Sequence, residues 1–293
     1  MIYLTYLFDK LRRLRITTST RLPHVATYTR ELPINLARMY ENAIDWEHLP
    51  ILHSSSFSKL ELIEQGQWGW KAKVYLQPSS FISSMVLELK LDRDKNRWIT
   101  RTLSGLGKGT EIWTHAIPLA ENKIKIIVDF YVPKLPKFLQ AQYAKQYRET
   151  YAQLYDEDLW MMATRQQELN RVKEARAIIR NQTESSQISL GKISDVSNKL
   201  PLTFDFNRQS YRLVKLDNEL IAHSVSCPHM LGPLEDSNIE EGILECPWHG
   251  YKFDIKTRKC ISGQKCKLAP APLIQIDPHS QEVSAHLTNK TTS

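Results

Sequence analysis

The sequence reads CPWHGYKFD at residues 246–254 and CPHMLGPL at residues 227–234. The two stretches supply a Cys-x-His pair and a Cys-x-x-His pair, with sixteen residues between His229 and Cys246. Two thiols and two imidazoles suit zinc or an iron–sulfur cluster and little else. All four cysteines of the chain fall in its last quarter, which favours one local cysteine-using site over a disulfide framework.

The spacing favours the cluster over zinc. Zinc ribbons usually separate paired ligands by two or more residues, whereas a single spacer makes a tight loop whose thiolate and imidazole point in different directions. In a [2Fe-2S] cluster, one iron can take both cysteines while the other takes both histidines. The remaining cysteines, Cys260 and Cys266, are expected to be free thiols packed in the sheet.

This segment resembles Rieske [2Fe-2S] domains over about residues 188–288, including KLAPAP at residues 267–272. The resemblance implies that the cluster is bound by Cys227, His229, Cys246 and His249. The loops lack the extra disulfide of the respiratory members, and Tyr251 stands where the high-potential members have a serine. We therefore expect a reduction potential at the low end of the Rieske range, roughly −150 mV.

The rest of the chain divides into recognisable segments. Residues 32–47 have helical apolar spacing, residues 57–132 read as short strands separated by turn residues, and residues 137–190 contain neither Gly nor Pro and predict a long helix. Polar NQTESSQ at 181–187 is the predicted linker. Beyond it, ISLGKISDV, PLTFDF, YRLVKLD, ELIAHSVS and GILECP predict a small all-β domain.

A second set of candidate ligands lies in MYENAIDWEHLPILH, residues 39–53. On a continuous helix, Asn42, Asp45 and His48 would share one face, whereas His48 and His53 would diverge by about 140°. Pro50 is predicted to end the helical turn, which lets the two imidazoles converge. Two histidines need one carboxylate to make a non-haem iron facial triad.

This constellation resembles the mononuclear-iron site of Rieske non-haem iron oxygenases, which carry D-x-x-H-x-x-x-x-H and a later carboxylate on a helix. The resemblance covers about residues 30–170, with His48, His53 and Asp158 as iron ligands, Asp158 being preferred to Asp156. It implies catalytic roles for Asn42 and Asp45, the latter bridging cluster and iron. The implied fold is α+β: a helix-grip (START-like) domain at 1–180, with an antiparallel sheet and a long closing helix, followed by the Rieske domain at 188–293.

The family resemblance also implies partners. Electrons would come from NAD(P)H through a separate reductase or ferredoxin, and Fe(II) and dioxygen would oxidise a small hydrophobic substrate of an aromatic or polycyclic class. The family has the Rieske domain first, so the order here is reversed. Electron transfer would run between chains of a homo-oligomer, a trimer by analogy, or within one chain. The alternatives are a Rieske electron-transfer protein fused to an iron-free ligand-binding module, and a zinc-stabilised regulatory protein.

Composition adds several exclusions. The net charge is +7, but the basic residues are scattered and no nucleic-acid-binding motif accompanies them. The sequence has no apolar run of about 20 residues, the length that a helix needs to cross a bilayer. The first twenty residues predict a helix packed on the domain in preference to a helix at a membrane surface, and no secretory signal. A cytoplasmic protein is expected.

Overall fold

The computed structural model of the chain describes residues 22–77, 84–179 and 185–287. The chain divides into two compact units, the first ending at Ala163 and the second beginning at Thr164. This division falls within a long helix, while the predicted domain ends at residue 180 and the linker at 187. The predicted N-terminal helix lies outside the described residues, as does most of the predicted linker.

The first unit is built on a seven-stranded antiparallel sheet in the order β1-β7-β6-β5-β4-β3-β2. Alternating residues of the inner strands are buried, as in KIKIIVDFY, where Ile124, Ile126, Val128 and Phe130 face the core. The strands are β1 (His24–Leu32), β2 (Phe57–Gly66), β3 (Gly69–Leu76), β4 (Ser84–Asp92), β5 (Arg97–Gly105), β6 (Glu111–Ala120) and β7 (Lys123–Tyr131).

Strand β1 is absent from the sequence prediction, which begins the domain with a helix. Its sequence, HVATYTREL, has only two fully buried positions, Ala26 and Leu32, and the remainder is polar or partly exposed. The strand is defined instead by its antiparallel pairing with β7 along almost its whole length. Long-range pairing, more than local pattern, therefore decides this element.

Two short helices connect β1 to β2. Helix α1 (Leu36–Ile44) begins after Asn35, whose side chain accepts a hydrogen bond from the Arg38 backbone N–H at 2.9 Å. Helix α2 (Leu49–Leu52) follows after a break. The predicted helix over 32–47 is therefore too long at both ends, and the predicted break at Pro50 is wrong. The chain leaves helical geometry at Asp45, and Pro50 lies in the first turn of α2, where its missing N–H costs nothing.

The long helix α3 (Gln140–Ile179) closes the first unit and confirms the predicted fold class. Tyrosines recur on it every four residues, so they share one face. Two of them, Tyr147 and Tyr151, pack on Phe130 of β7 with ring centroids 4.6 and 4.8 Å away, and Tyr155 stacks on Tyr28 of β1 at 6.0 Å. An aromatic core thus fixes this part of the helix on the sheet.

The second unit contains three small antiparallel sheets, with strand orders β11-β10-β9, β12-β13-β14 and β15-β16-β8. Their strands are β8 (Gln187–Lys192), β9 (Leu202–Phe206), β10 (Gln209–Leu216), β11 (Glu219–Ser224), β12 (Ile239–Glu240), β13 (Ile243–Glu245), β14 (Lys252–Asp254), β15 (Leu273–Ile276) and β16 (Glu282–His286). The prediction of one strand over ISLGKISDV is wrong in its second half, since helix α4 (Ile193–Asn198) buries Val196 in the core there.

Among the helices of the described residues, none is both long and apolar enough to span a bilayer.

Candidate metal centres

The first unit brings two histidines and one carboxylate to a single point. His48 precedes the first turn of α2, His53 follows its last turn, and Asp158 lies on α3. One ligand atom from each lies within 4.8 Å of the other two, and all three residues are buried. The break after α1 and the single turn of α2 carry the two imidazoles to one side, opposite the long helix.

The contacts among these three side chains have the character of a metal site. Asp158 Oδ1 lies 3.0 Å from His53 Nε2 and 3.4 Å from His48 Nε2. Both imidazoles therefore present the same kind of nitrogen to the same oxygen. Two imidazoles and one carboxylate are the donor set of the 2-His-1-carboxylate facial triad of non-haem Fe(II) proteins, so the residues present fit such an ion.

Each histidine has a carboxylate behind it. Asp45 Oδ2 lies 3.4 Å from His48 Nδ1, and Glu157 Oε2 lies 2.5 Å from His53 Nδ1. Such partners fix the tautomer and the orientation of metal-binding imidazoles and raise their basicity. Glu157 is in turn held by the side-chain amide of Gln153 at 3.0 Å. Glu157 was not among the residues predicted from the sequence, although its position beside Asp158 in the acidic run DED was a usable signal.

Charge within the site is strongly coupled. Burial alone would lower the pKa of His48, but hydrogen bonds with Asp158 and Asp45 outweigh it and raise the pKa to about 9. Burial likewise opposes ionisation of Asp158, yet hydrogen bonds from His48 and His53 lower its pKa to about 2. Without a metal the site holds a buried ion pair, and a divalent cation would take the place of the proton on His48.

Two neighbouring candidates have different surroundings. Asp156 is exposed and pairs with Arg30 at 2.6 Å, away from the two histidines. Asn42 is buried on α1, and its Oδ1 has no hydrogen-bond partner within the part of the chain that the structure describes. An unsatisfied buried acceptor costs stability unless something else binds it, so Asn42 is suited to a water or ligand donor.

The second unit presents Cys227, His229, Cys246 and His249 from two similar loops. In each loop the backbone turns back on its cysteine: the Leu231 N–H donates to the Cys227 carbonyl and the Gly250 N–H to the Cys246 carbonyl, both at 2.9 Å. Both cysteines are about 1% exposed. Buried thiols held in tight turns are positioned as ligands.

The four donors form two pairs, one of imidazoles and one of thiols. The Nδ1 atoms of His229 and His249 lie 3.4 Å apart, and the Cys227 thiol hydrogen-bonds to Cys246. That contact lowers the pKa of Cys246 to about 5 and raises the pKa of Cys227, so one thiolate forms readily and the second needs a cation. This is the behaviour expected of a thiol pair that shares one metal ion.

The spacing of these donors bears on which metal they fit. Tetrahedral zinc would hold all four ligand atoms about 3.3–3.8 Å apart, from its usual bond lengths. In the described ranges, the triad of the first unit has all its ligand atoms within 4.8 Å, whereas no three of these four do. A pair of thiols and a pair of imidazoles fit the two irons of a [2Fe-2S] cluster, one pair for each iron.

Close packing surrounds the cluster loops. A Cβ at Gly232 would lie 3.0 Å from both Cys246 Sγ and the Trp248 ring, so a side chain there would crowd a cluster ligand. Trp248 is fully buried, which explains a tryptophan between two ligands: it fills the space between the loops. Tyr251 stacks on His229 with centroids 4.6 Å apart and an interplanar angle of 15°.

Comparisons with known proteins bear on both units. The family model "Rieske [2Fe-2S] domain" matches residues 186–272, which contain all four cluster ligands. No curated protein sequence matches the chain significantly.

Several solved structures resemble parts of the chain. Norcoclaurine synthase from Thalictrum flavum is 17% identical and covers 52% of this chain and 96% of its own, with a TM-score of 0.38. A START superfamily protein from Mycobacterium smegmatis is 15% identical and covers 46% of this chain and 94% of its own, with a TM-score of 0.38. The ferredoxin of carbazole 1,9a-dioxygenase from Nocardioides aromaticivorans IC177 is 19% identical and covers 36% and 100%, with a TM-score of 0.31.

The family match and the paired donors both indicate a Rieske domain in the second unit. The sheet order and the closing helix define the fold of the first unit. The chain joins a helix-grip domain of START-like architecture to a C-terminal Rieske [2Fe-2S] domain at residues 186–272.

Proposed function

We propose that the protein is a Rieske non-haem iron oxygenase, an oxidoreductase that oxidises an organic substrate as a mono- or dioxygenase. The observation that carries this proposal is the buried convergence of His48, His53 and Asp158 in a chain that also has a Rieske domain. A ligand-binding module has no need of two imidazoles and a carboxylate within 4.8 Å of one another. Burying such polar groups is costly unless they are paired or bind a metal.

In this proposal the three residues hold Fe(II), which supplies the capacity to activate dioxygen once electrons reach it. Glu157 hydrogen-bonds to His53 Nδ1 and Asp45 lies 3.4 Å from His48 Nδ1, so that each Nε2 is directed to the metal side. Asp158 stays ionised at neutral pH because its pKa is low. The protein thus supplies a preformed pocket that contains one carboxylate and two imidazoles.

The substrate in this proposal is hydrophobic and aromatic or polycyclic. The face of α3 that leads to Asp158 carries Tyr151 and Tyr155, and burial raises the pKa of both phenols far above 10. These phenols therefore stay neutral, and the face of α3 that leads to Asp158 is aromatic. Hydroxylation, dihydroxylation and dealkylation are all compatible with these parts.

Electrons in this proposal would come from NAD(P)H through a separate reductase or ferredoxin to the cluster that Cys227, His229, Cys246 and His249 would hold, and Asp45 would connect that cluster with the iron that His48 would bind. The chains assemble as a homo-oligomer, by analogy a trimer, with transfer between chains or within one chain. A complementation experiment separates these routes. A Cys246→Ser chain lacks the cluster and an Asp158→Asn chain lacks the iron, so activity in co-assembled mixtures requires transfer between chains.

Metal content tests the proposal against the alternative, a Rieske electron-transfer protein fused to an iron-free ligand-binding module. We expect about three iron ions to two acid-labile sulfides per chain in anaerobically purified protein, with a Rieske-type EPR signal after reduction. The Asp158→Asn variant is the control and should fall to about two irons to two sulfides. A wild-type protein that holds only the cluster iron after incubation with Fe(II) supports the alternative.

Activity is tested with isotopically labelled dioxygen. The reduced protein, supplied with a surrogate reductase and a panel of hydrophobic aromatic compounds, should incorporate label from dioxygen into the product. One labelled oxygen per product indicates a monooxygenase and two indicate a dioxygenase. Label that appears only in water or peroxide, for every compound of the panel, contradicts the oxygenase proposal.

A further inference from the structure

A pair of cysteines lies outside the cluster ligands, on a small hairpin-like segment of the Rieske domain. Residues 258–260 run antiparallel to residues 266–268, with Lys259 paired to Lys267. Cys260 and Cys266 are therefore directly opposite each other, and the Cys260 N–H donates to the Cys266 carbonyl at 3.3 Å. Opposite residues of this kind have Cα atoms about 5.5 Å apart, within the range that a disulfide spans.

The two thiols contact one another and solvent. Each thiol is a hydrogen-bond partner of the other. Both cysteines are free thiols, as expected, but both are partly exposed, whereas packing within the sheet was expected. The turn that joins them, residues 261–265, contains Gly263 at φ +98°, with open space around it. Because both cysteines are partly exposed, a small oxidant can approach the pair.

The surroundings differ for the two sulfurs. Cys260 Sγ lies 3.3 Å from Ser262 Oγ. Burial opposes ionisation of Cys260, but hydrogen bonds from the Ser262 hydroxyl and from the backbone N–H groups of Ser262 and Gln264 outweigh it and lower the pKa of Cys260. Burial and the neighbouring Cys260 raise the pKa of Cys266 to about 11. Cys260 is thus suited to react first with an oxidant, and Cys266 is suited to react with the oxidised Cys260.

The hairpin is attached to the cluster loop through the backbone. The Ile261 N–H donates to the Lys252 carbonyl at 2.8 Å, and the Lys252 N–H donates to Ser262 Oγ at 3.0 Å. Lys252 begins β14 directly after Tyr251, whose carbonyl accepts from the Cys246 N–H at 2.9 Å. The thiol pair is therefore one strand away from a loop that supplies two cluster ligands.

We propose that Cys260 and Cys266 form a peroxide-sensitive dithiol that closes reversibly to a disulfide beside the Rieske cluster. The Cys260 thiolate attacks one oxygen of hydrogen peroxide, the O–O bond breaks, and Cys260 becomes a sulfenic acid while the released hydroxide takes up a proton as water. The Cys266 sulfur then attacks the Cys260 sulfur, loses its proton, and displaces the second oxygen as water. Two thiols and one peroxide give one disulfide and two waters.

A metal site is the other use for two adjacent thiols, and the structure does not favour it here. Stable cysteine sites for zinc use four ligands, with histidine completing the set when cysteines are fewer. Within the described ranges, neither cysteine belongs to a group of three or more ligand atoms within 4.8 Å. Two partly exposed thiols with no further ligand are better suited to oxidation.

The test uses the full chain with its cluster intact, as checked by its visible absorption before and after treatment. After stoichiometric peroxide, mass spectrometry should give a mass decrease of two hydrogen atoms, mapped by peptide analysis to a link between Cys260 and Cys266. A dithiol reductant should reverse it. The Cys266→Ser variant should instead accumulate a sulfenic acid at Cys260, trapped by a dione probe. Cys260→Ser should slow peroxide-dependent thiol loss by about tenfold or more.

Three results would overturn the proposal. The first is a wild-type protein whose two thiols both survive peroxide while the cluster remains intact. The second is oxidation that yields sulfinic acid or links between chains in place of the internal disulfide. The third is equal trapping at Cys260 and Cys266 in the two single variants, because the surroundings that distinguish the sulfurs would then have no chemical effect.

Discussion

Three consecutive acids on α3 provide a matched mutational series, and the middle one gives the sharpest prediction. Glu157 contacts His53 Nδ1 at 2.5 Å, whereas Asp156 is exposed and pairs with Arg30, and Asp158 faces both histidines. Glu157→Gln keeps an acceptor for the imidazole N–H but removes the charge. We expect it to weaken binding of Fe(II) at the mononuclear site without unfolding the domain.

The magnitude follows from the contact. Loss of a carboxylate behind a metal-binding histidine typically costs 10- to 100-fold in metal affinity, or about 1.4–2.7 kcal/mol. The Glu157 side chain is 27% exposed, so solvent screens part of its charge. Glu157→Gln should therefore weaken Fe(II) binding by about tenfold. Glu157→Ala also removes the hydrogen-bond acceptor and should weaken Fe(II) binding by about 100-fold.

The assay is an anaerobic Fe(II) titration against a chromophoric chelator, with protein that retains its [2Fe-2S] cluster. Asp156→Asn is the control and should bind within about twofold of wild type, because exposed ion pairs contribute little. Asp158→Asn should lose measurable binding at this site. If Glu157→Gln binds Fe(II) as tightly as Asp156→Asn, the 2.5 Å contact does not orient His53 and the assignment of Glu157 is wrong.

Further predictions concern both metal centres. Gly232→Ala should lower cluster occupancy and stability by about 1–3 kcal/mol, because its Cβ would lie 3.0 Å from Cys246 Sγ; unchanged visible absorption and thermal unfolding would contradict this. In protein without the mononuclear metal, the raised pKa of His48 contributes stability below pH 6.5 that is lost as pH rises through about 9. The lowered pKa of Asp158 contributes stability above pH 3.8 that is lost as pH falls towards about 2. The thermal stability of the metal-free form should therefore fall from pH 6.5 to 9. Bound Fe(II) should abolish this loss, because the metal binds the neutral imidazole. Asp45→Asn should weaken Fe(II) binding as Glu157→Gln does, and with the mononuclear site filled by excess Fe(II) it should also slow substrate-dependent reoxidation of the cluster about tenfold or more, as followed by stopped-flow absorption; full turnover of the iron-loaded variant would exclude a bridging role.

Much of the Rieske domain could be predicted from its sequence, for a physical reason. Its four ligands lie on two short loops, and the spacing of cysteine and histidine within a loop constrains the metal that the loop can bind. The family match at residues 186–272 confirms the domain. The short helix α4 was missed because six residues give too little periodicity to distinguish a helix from a strand.

The first unit depends more on tertiary structure. Its strands β2 to β7 and its long helix follow from local patterns, but β1 exists only through its pairing with β7. Likewise, the ligand set His48, His53 and Asp158 could be proposed from a motif, yet His53 and Asp158 are 105 positions apart in the sequence and only the fold brings them together. The reason given for convergence, a break at Pro50, was wrong because the chain already leaves helical geometry at Asp45.

The sequence by itself determined which residue types could bind metal and roughly which elements carry them, because ligand identity and hydrophobic period are local properties. Only the tertiary structure decided that Glu157 supports His53, that Asp156 pairs with Arg30 at the surface, and that Cys260 faces Cys266. These relations depend on which side of a helix meets a sheet and which segments run antiparallel. Burial, distance and partner are set when the chain packs, and neighbouring residues in the sequence can then have opposite surroundings.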